Sequence, residues 1–249
     1  TWASGSGTLE EVAAAAKNTG SLRFCYGISE QQYADQSAQG KRLASNIATI
    51  TVVHGTKAED PWVNPFRDVT ESDWFYDDVR FANQSGLFNG VEKDLFAPEE
   101  PMTRGMLVTV LWRLDGETAP KTATTFTDVD VNAYYADAVA WAAESGVVNG
   151  IGGNKFDPEG NVTREQIAAI LFRYASLKGV DTAARADLTA FPDAEKASAY
   201  ARDALSWAVA AGLVKGTKEG STIYLDPQGS ATRAQVAAIL SRYAQNIVK

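Results

Sequence analysis

The stretch 161-NVTREQIAAILFRYA-175 reads as the start of a helix with a cation in an unfavourable place. Thr163 followed three residues later by Gln166 is a capping box, in which hydroxyl and amide side chains satisfy two exposed backbone amides reciprocally. Behind it, Ile167, Ile170, Leu171 and Tyr174 make one apolar stripe at helical spacing. Arg164 falls on the first helical position, where the positive end of the helix dipole favours an acid. The arrangement returns in 101-PMTRGMLVTVLWRL-114 and 230-SATRAQVAAILSRYA-244, so Arg104 and Arg233 share the oddity. Thr232 and Gln235 repeat the box; the first copy has Thr103 but Met106 in place of an acceptor. The arginine thus persists where the box does not.

Working outward, each helix start closes a longer repeat. Phe66, Asp68, Gly86, Gly90, Pro98 and Arg104 recur as Phe126, Asp128, Gly146, Gly150, Pro158 and Arg164, every pair 60 residues apart. A third copy runs through Phe191, Asp193, Gly212, Gly216, Pro227 and Arg233, its offset growing from 65 to 69. Small insertions therefore fall in its loops, where repeats tolerate them. Within each copy a first helix begins near Trp74, Tyr134 or Tyr200. Its apolar positions are Val79 and Ala82, Val139 and Ala142, Leu205 and Ala208, with Asn83 breaking the pattern in copy one. Gly86, Gly146 and Gly212 sit where a terminating glycine belongs. A loop with one apolar residue (Phe96, Phe156, Leu225) and a proline leads to the second helix. Three helix pairs with one-sided stripes bury them against one another, so the expected fold is mainly α: three helix–loop–helix repeats in a compact bundle. The expected boundaries are 64–120, 121–183 and 184–249, after an α+β segment at 1–63. In that segment 8-TLEEVAAAAKNTG-20 reads as a helix, while 21-SLRFCYGIS-29 and 46-NIATITVVHG-55 read as strands.

Composition excludes several functions. The chain has 249 residues and a net charge of −8, which argues against a nucleic-acid or anionic-membrane surface while leaving room for local cationic pockets. One cysteine, Cys25, and one histidine, His54, rule out a disulfide framework and Cys- or His-based metal sites. His54 lies in a strand end or linker and is not read as catalytic. No apolar run reaches the ~20 residues of a membrane helix. The opening 1-TWASGSGTLEE-11 has no signal-peptide character. The chain is thus read as cytosolic, or as a mature or excised piece of a secreted protein. Asp128, Asp130 and Asn132 imitate a calcium loop, but Ala133 and Val139 stand where glycine and a bidentate acid are needed. Glu99 and Glu100 are loop neighbours, not carboxylates facing across a cleft. No cofactor, metal or catalytic residue is expected.

Arg113, Arg173 and Arg242 recur nine residues after the first set. They read as cations that complement helix C-termini, structural or facing solvent. The first-position arginines read differently. Free helix amides plus a guanidinium form an anion pocket that can grip a carboxylate or phosphate. The aromatic pairs Trp74–Phe81, Tyr134–Trp141 and Tyr200–Trp207 fall seven apart, on one side of the first helix. Packing between repeats explains them, and so does a groove wall for stacking a sugar; Trp74, Trp141 and Trp207 are kept as candidates. Asp68, Asp128 and Asp193 read first as turn residues and second as site residues.

The combination of "FTDV", "YY", "AV", "SGVVNGIGGNKFDP" and "TREQ" in copy two, repeated in order three times, resembles the S-layer homology domain over residues 64–249. The resemblance implies a pseudo-threefold bundle whose inter-repeat grooves bind secondary cell-wall polysaccharide, often through a pyruvylated amino sugar. It implies that Arg104, Arg164 and Arg233 engage the acidic group, with Thr163, Thr232, Gln166 and Gln235 beside them. Gly105 and Met106 depart from the family's Ala–Glu in copy one, and glutamine replaces glutamate in the others. The resemblance further implies a bacterial cell-wall or S-layer location, non-enzymatic anchoring, and self-assembly in a surface layer as a further expectation. The chain is expected to serve as such an anchor, as the tail of a larger secreted polysaccharide- or wall-degrading enzyme, or as a structural subunit acting through protein contacts. Replacing Arg164 and Arg233 by alanine is expected to abolish wall binding with little change in melting temperature.

Overall fold

A computed structural model describes residues 62–247 together with two short strands, β1 (Leu22–Cys25) and β2 (Ile47–Ile50). The chain divides into two units, Thr1–Trp62 and Val63–Lys249. In the first, β1 and β2 pair antiparallel with Leu22 opposite Ile50, inside the two stretches read as strands. The helix expected at 8–20 and His54 lie outside the described residues.

The second unit is a ring of three helix pairs. Its helices are α1 (Tyr76–Gln84), α2 (Arg104–Leu114), α3 (Ala136–Glu144), α4 (Arg164–Leu177), α5 (Arg202–Ala210) and α6 (Arg233–Asn246). A small hairpin, β3 (Thr217–Glu219) with β4 (Thr222–Tyr224), accommodates the insertion of the third copy. The fold is mainly helical, as the periodicity requires. The first helices start two residues later than the aromatic positions: Trp74, Tyr134 and Tyr200 stand in the preceding turn and remain exposed. At nine residues these helices are too short to persist alone, and packing of their buried faces holds them. Asn83, the polar break in α1, donates its side-chain amide to the Phe88 carbonyl, 3.1 Å away, and so secures the following loop.

Each second helix packs on the first helix of the next copy: α2 on α3, α4 on α5, and α6 back on α1. The ring closes by backbone hydrogen bonding around its axis. Met102 N donates to Ala231 O (2.8 Å), Ala231 N to Val162 O (3.1 Å), and Val162 N to Met102 O (2.9 Å). All three residues are fully buried. A cyclic set of three such bonds needs three copies, so neither one nor two repeats can satisfy these amides internally.

The same rotation ties the helix starts. Arg104 N and Gly105 N donate to Gly160 O and Pro158 O, Arg164 N and Glu165 N to Gly229 O and Pro227 O, and Arg233 N and Ala234 N to Glu100 O and Pro98 O. The amides of the first two helical residues are therefore consumed by the proline loop of the next copy. This corrects the expectation that they stand free for an anion. Thr163 with Gln166 and Thr232 with Gln235 form complete capping boxes. Thr103 keeps half of one, accepting from Met106 N at 3.2 Å.

Asp68, Asp128 and Asp193 hold those proline loops from within their own copy. Each carboxylate accepts two amides, of Phe96 and Ala97, Phe156 and Asp157, or Leu225 and Asp226, at 2.7–2.9 Å. They are loop clamps 28 to 33 residues from their partners, not local turn caps. Burial disfavours the Asp128 charge, but the Phe156 and Asp157 amides outweigh it and hold its carboxyl below the ordinary range. The folded value is lower than the unfolded one, so its contribution is complete above the unfolded pKa of about 4 and is lost as pH falls through the folded value. In a thermal-unfolding series from neutral to acid, the midpoint is expected to stay flat and then drop below about pH 4, with Asp128→Asn flattening that drop. An acid limb identical in the two proteins contradicts this role.

Candidate functional site: inter-repeat grooves

Because each second helix begins against the next copy, the side chain of its first residue reaches between copies. Arg104 lies across repeat 2: Nε donates to Phe156 O at 2.8 Å, and the guanidinium sits 4.7 Å from the Phe156 ring centroid. Arg233 lies across repeat 1 in the same way, with Nε to Phe96 O at 2.7 Å and the guanidinium 4.9 Å from the Phe96 ring. Its Nη2 donates to Asn89 O at 3.1 Å. Both side chains are buried, 6% and 4% exposed, and burial lowers both pKa values. Among the described residues neither has a carboxylate within ion-pair distance.

Each of these arginines forms the floor of a groove. Around Arg104, groove I of about 360 Å³ is lined by the loop Val148–Ile151 and by Gln166, Ile170, Arg173 and Tyr200. Around Arg233, groove II of about 390 Å³ is lined by Phe88–Val91 and by Met106, Val110, Arg113 and Tyr134. Both volumes fall in the range of small-ligand sites. All three copies contribute to each groove: the first-position arginine from one, a loop and helix face from the next, an aromatic from the third. Gly150, at φ +71°, forms one lip; a Cβ there would come within 2.5 Å of Lys155 O and 2.7 Å of the Phe126 ring. Only glycine allows the lip to close so tightly.

Arg113 and Arg173 therefore belong to the grooves, which the dipole argument had not placed there. Only Arg113 lies in the last turn of its helix; α4 runs on to Leu177 and α6 to Asn246. Their guanidiniums, like that of Arg242, brace the loop of their own copy through Leu87 O, Val147 O and Leu213 O at 3.0–3.4 Å. Recurrence of a long cation at a fixed spacing from the first arginine was the available signal.

The aromatic candidates divide. Trp141 and Trp207 are 5% and 1% exposed, packed edge-on against Tyr174 and Phe172 respectively. Trp207 forms core between copies two and three and Trp141 packs within copy two, so neither presents a face to a groove, which corrects their reading as stacking residues. Tyr134 and Tyr200 are the groove aromatics, 62% and 57% exposed, and Trp74 at 61% is their counterpart from copy one. Tyr200 is held by Glu165, which accepts from its hydroxyl at 3.1 Å and from Ser198 N at 2.9 Å. Burial and this carboxylate push the Tyr200 pKa up to about 12, so the hydroxyl stays protonated as a donor. Gly105 at the Glu165 position of copy one answers a steric demand: a Cβ there would lie 2.9 Å from the Tyr135 ring.

Arg164 breaks the symmetry. Its Nη1 pairs with Asp226 Oδ2 at 2.6 Å, and its Nη2 donates to Gln235 Oε1 at 2.9 Å. The cation that lacked a partner along its own helix has one 62 residues away. Among the described residues no cluster of acidic, histidine or cysteine side chains could hold a metal, and no helix is long and apolar enough to cross a membrane. Asp130, from the calcium-like stretch, instead accepts from Asn132 N in a local turn.

The three repeats also match known proteins in sequence. The family model of the S-layer homology domain matches residues 65–105, 125–168 and 190–237. The surface-layer 125 kDa protein of Lysinibacillus sphaericus is 28% identical over 212 residues, 84% of this chain and 17% of that protein. The amylopullulanase of Thermoanaerobacterium thermosulfurigenes is 27% identical over 198 residues, 79% of this chain and 10% of that protein. The undecaheme cytochrome from the S-layer of Carboxydothermus ferrireducens aligns with 96% of this chain and 29% of its own, at 20% identity and a TM-score of 0.36. The chain thus spans about a tenth to a sixth of the length of these two relatives.

Proposed function

Because the chain belongs to the S-layer homology family, a family of bacterial surface-layer and cell-surface proteins, we propose that it is a non-catalytic module binding anionic cell-wall polysaccharide in its inter-repeat grooves. The observation that carries this reading is the pair of desolvated guanidiniums, Arg104 and Arg233, each in a groove with no carboxylate partner. A buried cation without a counter-ion is costly, and a ligand acid offsets that cost on arrival. A second arginine, Arg173 or Arg113, and a tyrosine stand in the same groove, so one acid can meet two cations while its ring lies against an aromatic. Ile151 and Val91, both exposed at the lip, supply apolar surface beside the charge. That combination suits a pyruvate ketal on an amino sugar, a carboxylate next to a methyl group. Several modest grooves on one polymer gain avidity without any new contact. The module would anchor whatever chain it is joined to, and the relatives include a surface-layer protein and a polysaccharide-degrading enzyme.

Co-sedimentation with purified bacterial cell walls, before and after chemical removal of the secondary polymer, tests this reading. Binding is expected to vanish from stripped walls. Binding that survives stripping rejects the glycan and favours protein contacts within a surface layer.

A further inference from the structure

Resting on that reading, we propose that the three first-position arginines are unequal: between copies two and three Asp226 occupies Arg164 and closes that position to anionic ligands, leaving grooves I and II to bind. Two differences within the repeat produce this, and both lie in the loop that faces each arginine.

The first is an internal acid. The residue after the buried loop apolar position is Ala97, Asp157 or Asp226, each at positive φ (57°, 59°, 48°). Three residues on stand Glu100, Gly160 and Gly229. A Cβ at Gly160 or Gly229 would collide with the neighbouring aspartate carboxylate, so glycine makes room for the acid in copies two and three. By the rotation of the ring, Arg233 faces Ala97, Arg104 faces Asp157 and Arg164 faces Asp226.

The second difference decides which acid captures its arginine. Arg104 and Arg233 lie over the rings of Phe156 and Phe96, where cation–π attraction and the Nε bond to the ring residue's carbonyl hold the guanidinium in the groove. The third loop carries Leu225 instead. Without a ring Arg164 is drawn to Asp226 at 2.6 Å, with Gln235 Oε1 at 2.9 Å and Ser230 O at 3.4 Å taking further donors. Asp157 stands ready in the same position but does not capture Arg104, because Phe156 retains it. In grooves I and II an incoming carboxylate meets guanidiniums held only by neutral acceptors, Gln166 Oε1 at 3.5 Å from Arg104 Nη1 and Asn89 O at 3.1 Å from Arg233 Nη2, whereas at Arg164 it must displace an ion pair already made. A loss of one charge-assisted bond corresponds to at least about tenfold weaker binding there.

Calorimetric titration of the whole chain with the methyl glycoside of a 4,6-O-pyruvylated N-acetylhexosamine reads the number of sites. The wild type is expected to bind two. Asp226→Asn combined with Leu225→Phe is expected to bind three, since asparagine tolerates positive φ and phenylalanine already fills that loop position in the other copies. Phe156→Leu is expected to bind one, because it frees Arg104 to pair with Asp157, and adding Asp157→Asn restores two. Three equivalent sites in the wild type, or an unchanged count in the Asp226→Asn, Leu225→Phe protein, overturns the proposal. If neither wild type nor variants bind, the glycan reading falls by itself. The inequality of the arginines is then judged by phenylglyoxal labelling with peptide mapping. Arg164 is expected to label several-fold faster after Asp226→Asn, with Arg104 unchanged; equal Arg164 rates in the two proteins overturn it.

Discussion

Replacing Arg104 and Arg233 together by alanine is expected to abolish co-sedimentation with cell walls and also to lower the melting temperature. Each arginine is proposed to donate charge-assisted bonds to a ligand acid, worth about 1.5–3 kcal/mol, so losing one groove weakens its own interaction by roughly 10- to 150-fold. Losing both removes the avidity as well. The stability effect arises because each guanidinium also joins two copies, through Phe156 O and Phe96 O. Loss of a buried bond from a charged donor costs about 1.5–3 kcal/mol, or roughly 3–12 °C per substitution in a protein this size. This revises the expectation that such changes leave the melting temperature alone. Arg164→Ala is the contrasting variant. It removes an ion pair between an 11% exposed guanidinium and a 45% exposed acid, together with the bond to Gln235 Oε1, and is expected to leave wall binding near the parent value. Arg104→Ala, Arg233→Ala protein that is folded and sediments like the parent would refute the assignment of these arginines.

Asp193→Ala is expected to be the most destabilising single change in the loops. The carboxylate is 5% exposed and accepts the Leu225 and Asp226 amides at 2.8 Å each. Alanine leaves two amides without acceptors, one of them buried, at about 1–3 kcal/mol each, so the melting temperature falls by roughly 5–20 °C. The damage spreads beyond one loop, because Pro227 O and Gly229 O in it accept the first amides of α4. Asp193→Asn keeps one acceptor and is expected to lose about half as much. Scanning calorimetry of the three proteins checks the order; a fall of under about 2 °C for alanine contradicts the clamp.

The repeat, its helix starts and stops and the mainly helical fold were legible along the chain. Capping boxes, terminating glycines and stripes of period 3.6 are local: Thr163 and Gln166 meet because they lie one turn apart. The site was legible only in its arginines. Trp141 and Trp207 share spacing with exposed aromatics, yet burial separates them from Tyr134 and Tyr200, and burial is not a property of spacing. Arg113 and Arg173 were assigned by a dipole rule that looks only at their own helix, which concealed the groove they line. The three helix starts looked equally open, because the carbonyls that fill them come from residues 53 to 136 positions away.

By itself the sequence determined that three copies must share one core, since no copy can bury its stripe alone. It also determined that a cation would stand at each of three helix starts. Only the tertiary structure decided what those cations meet. Ring closure sets Arg104 over Phe156, Arg233 over Phe96 and Arg164 against Asp226. Coulomb and cation–π energies depend on distance in space, and these partners are 52, 137 and 62 residues apart in the chain. Three arginines alike in sequence therefore end as two open floors and one internal ion pair.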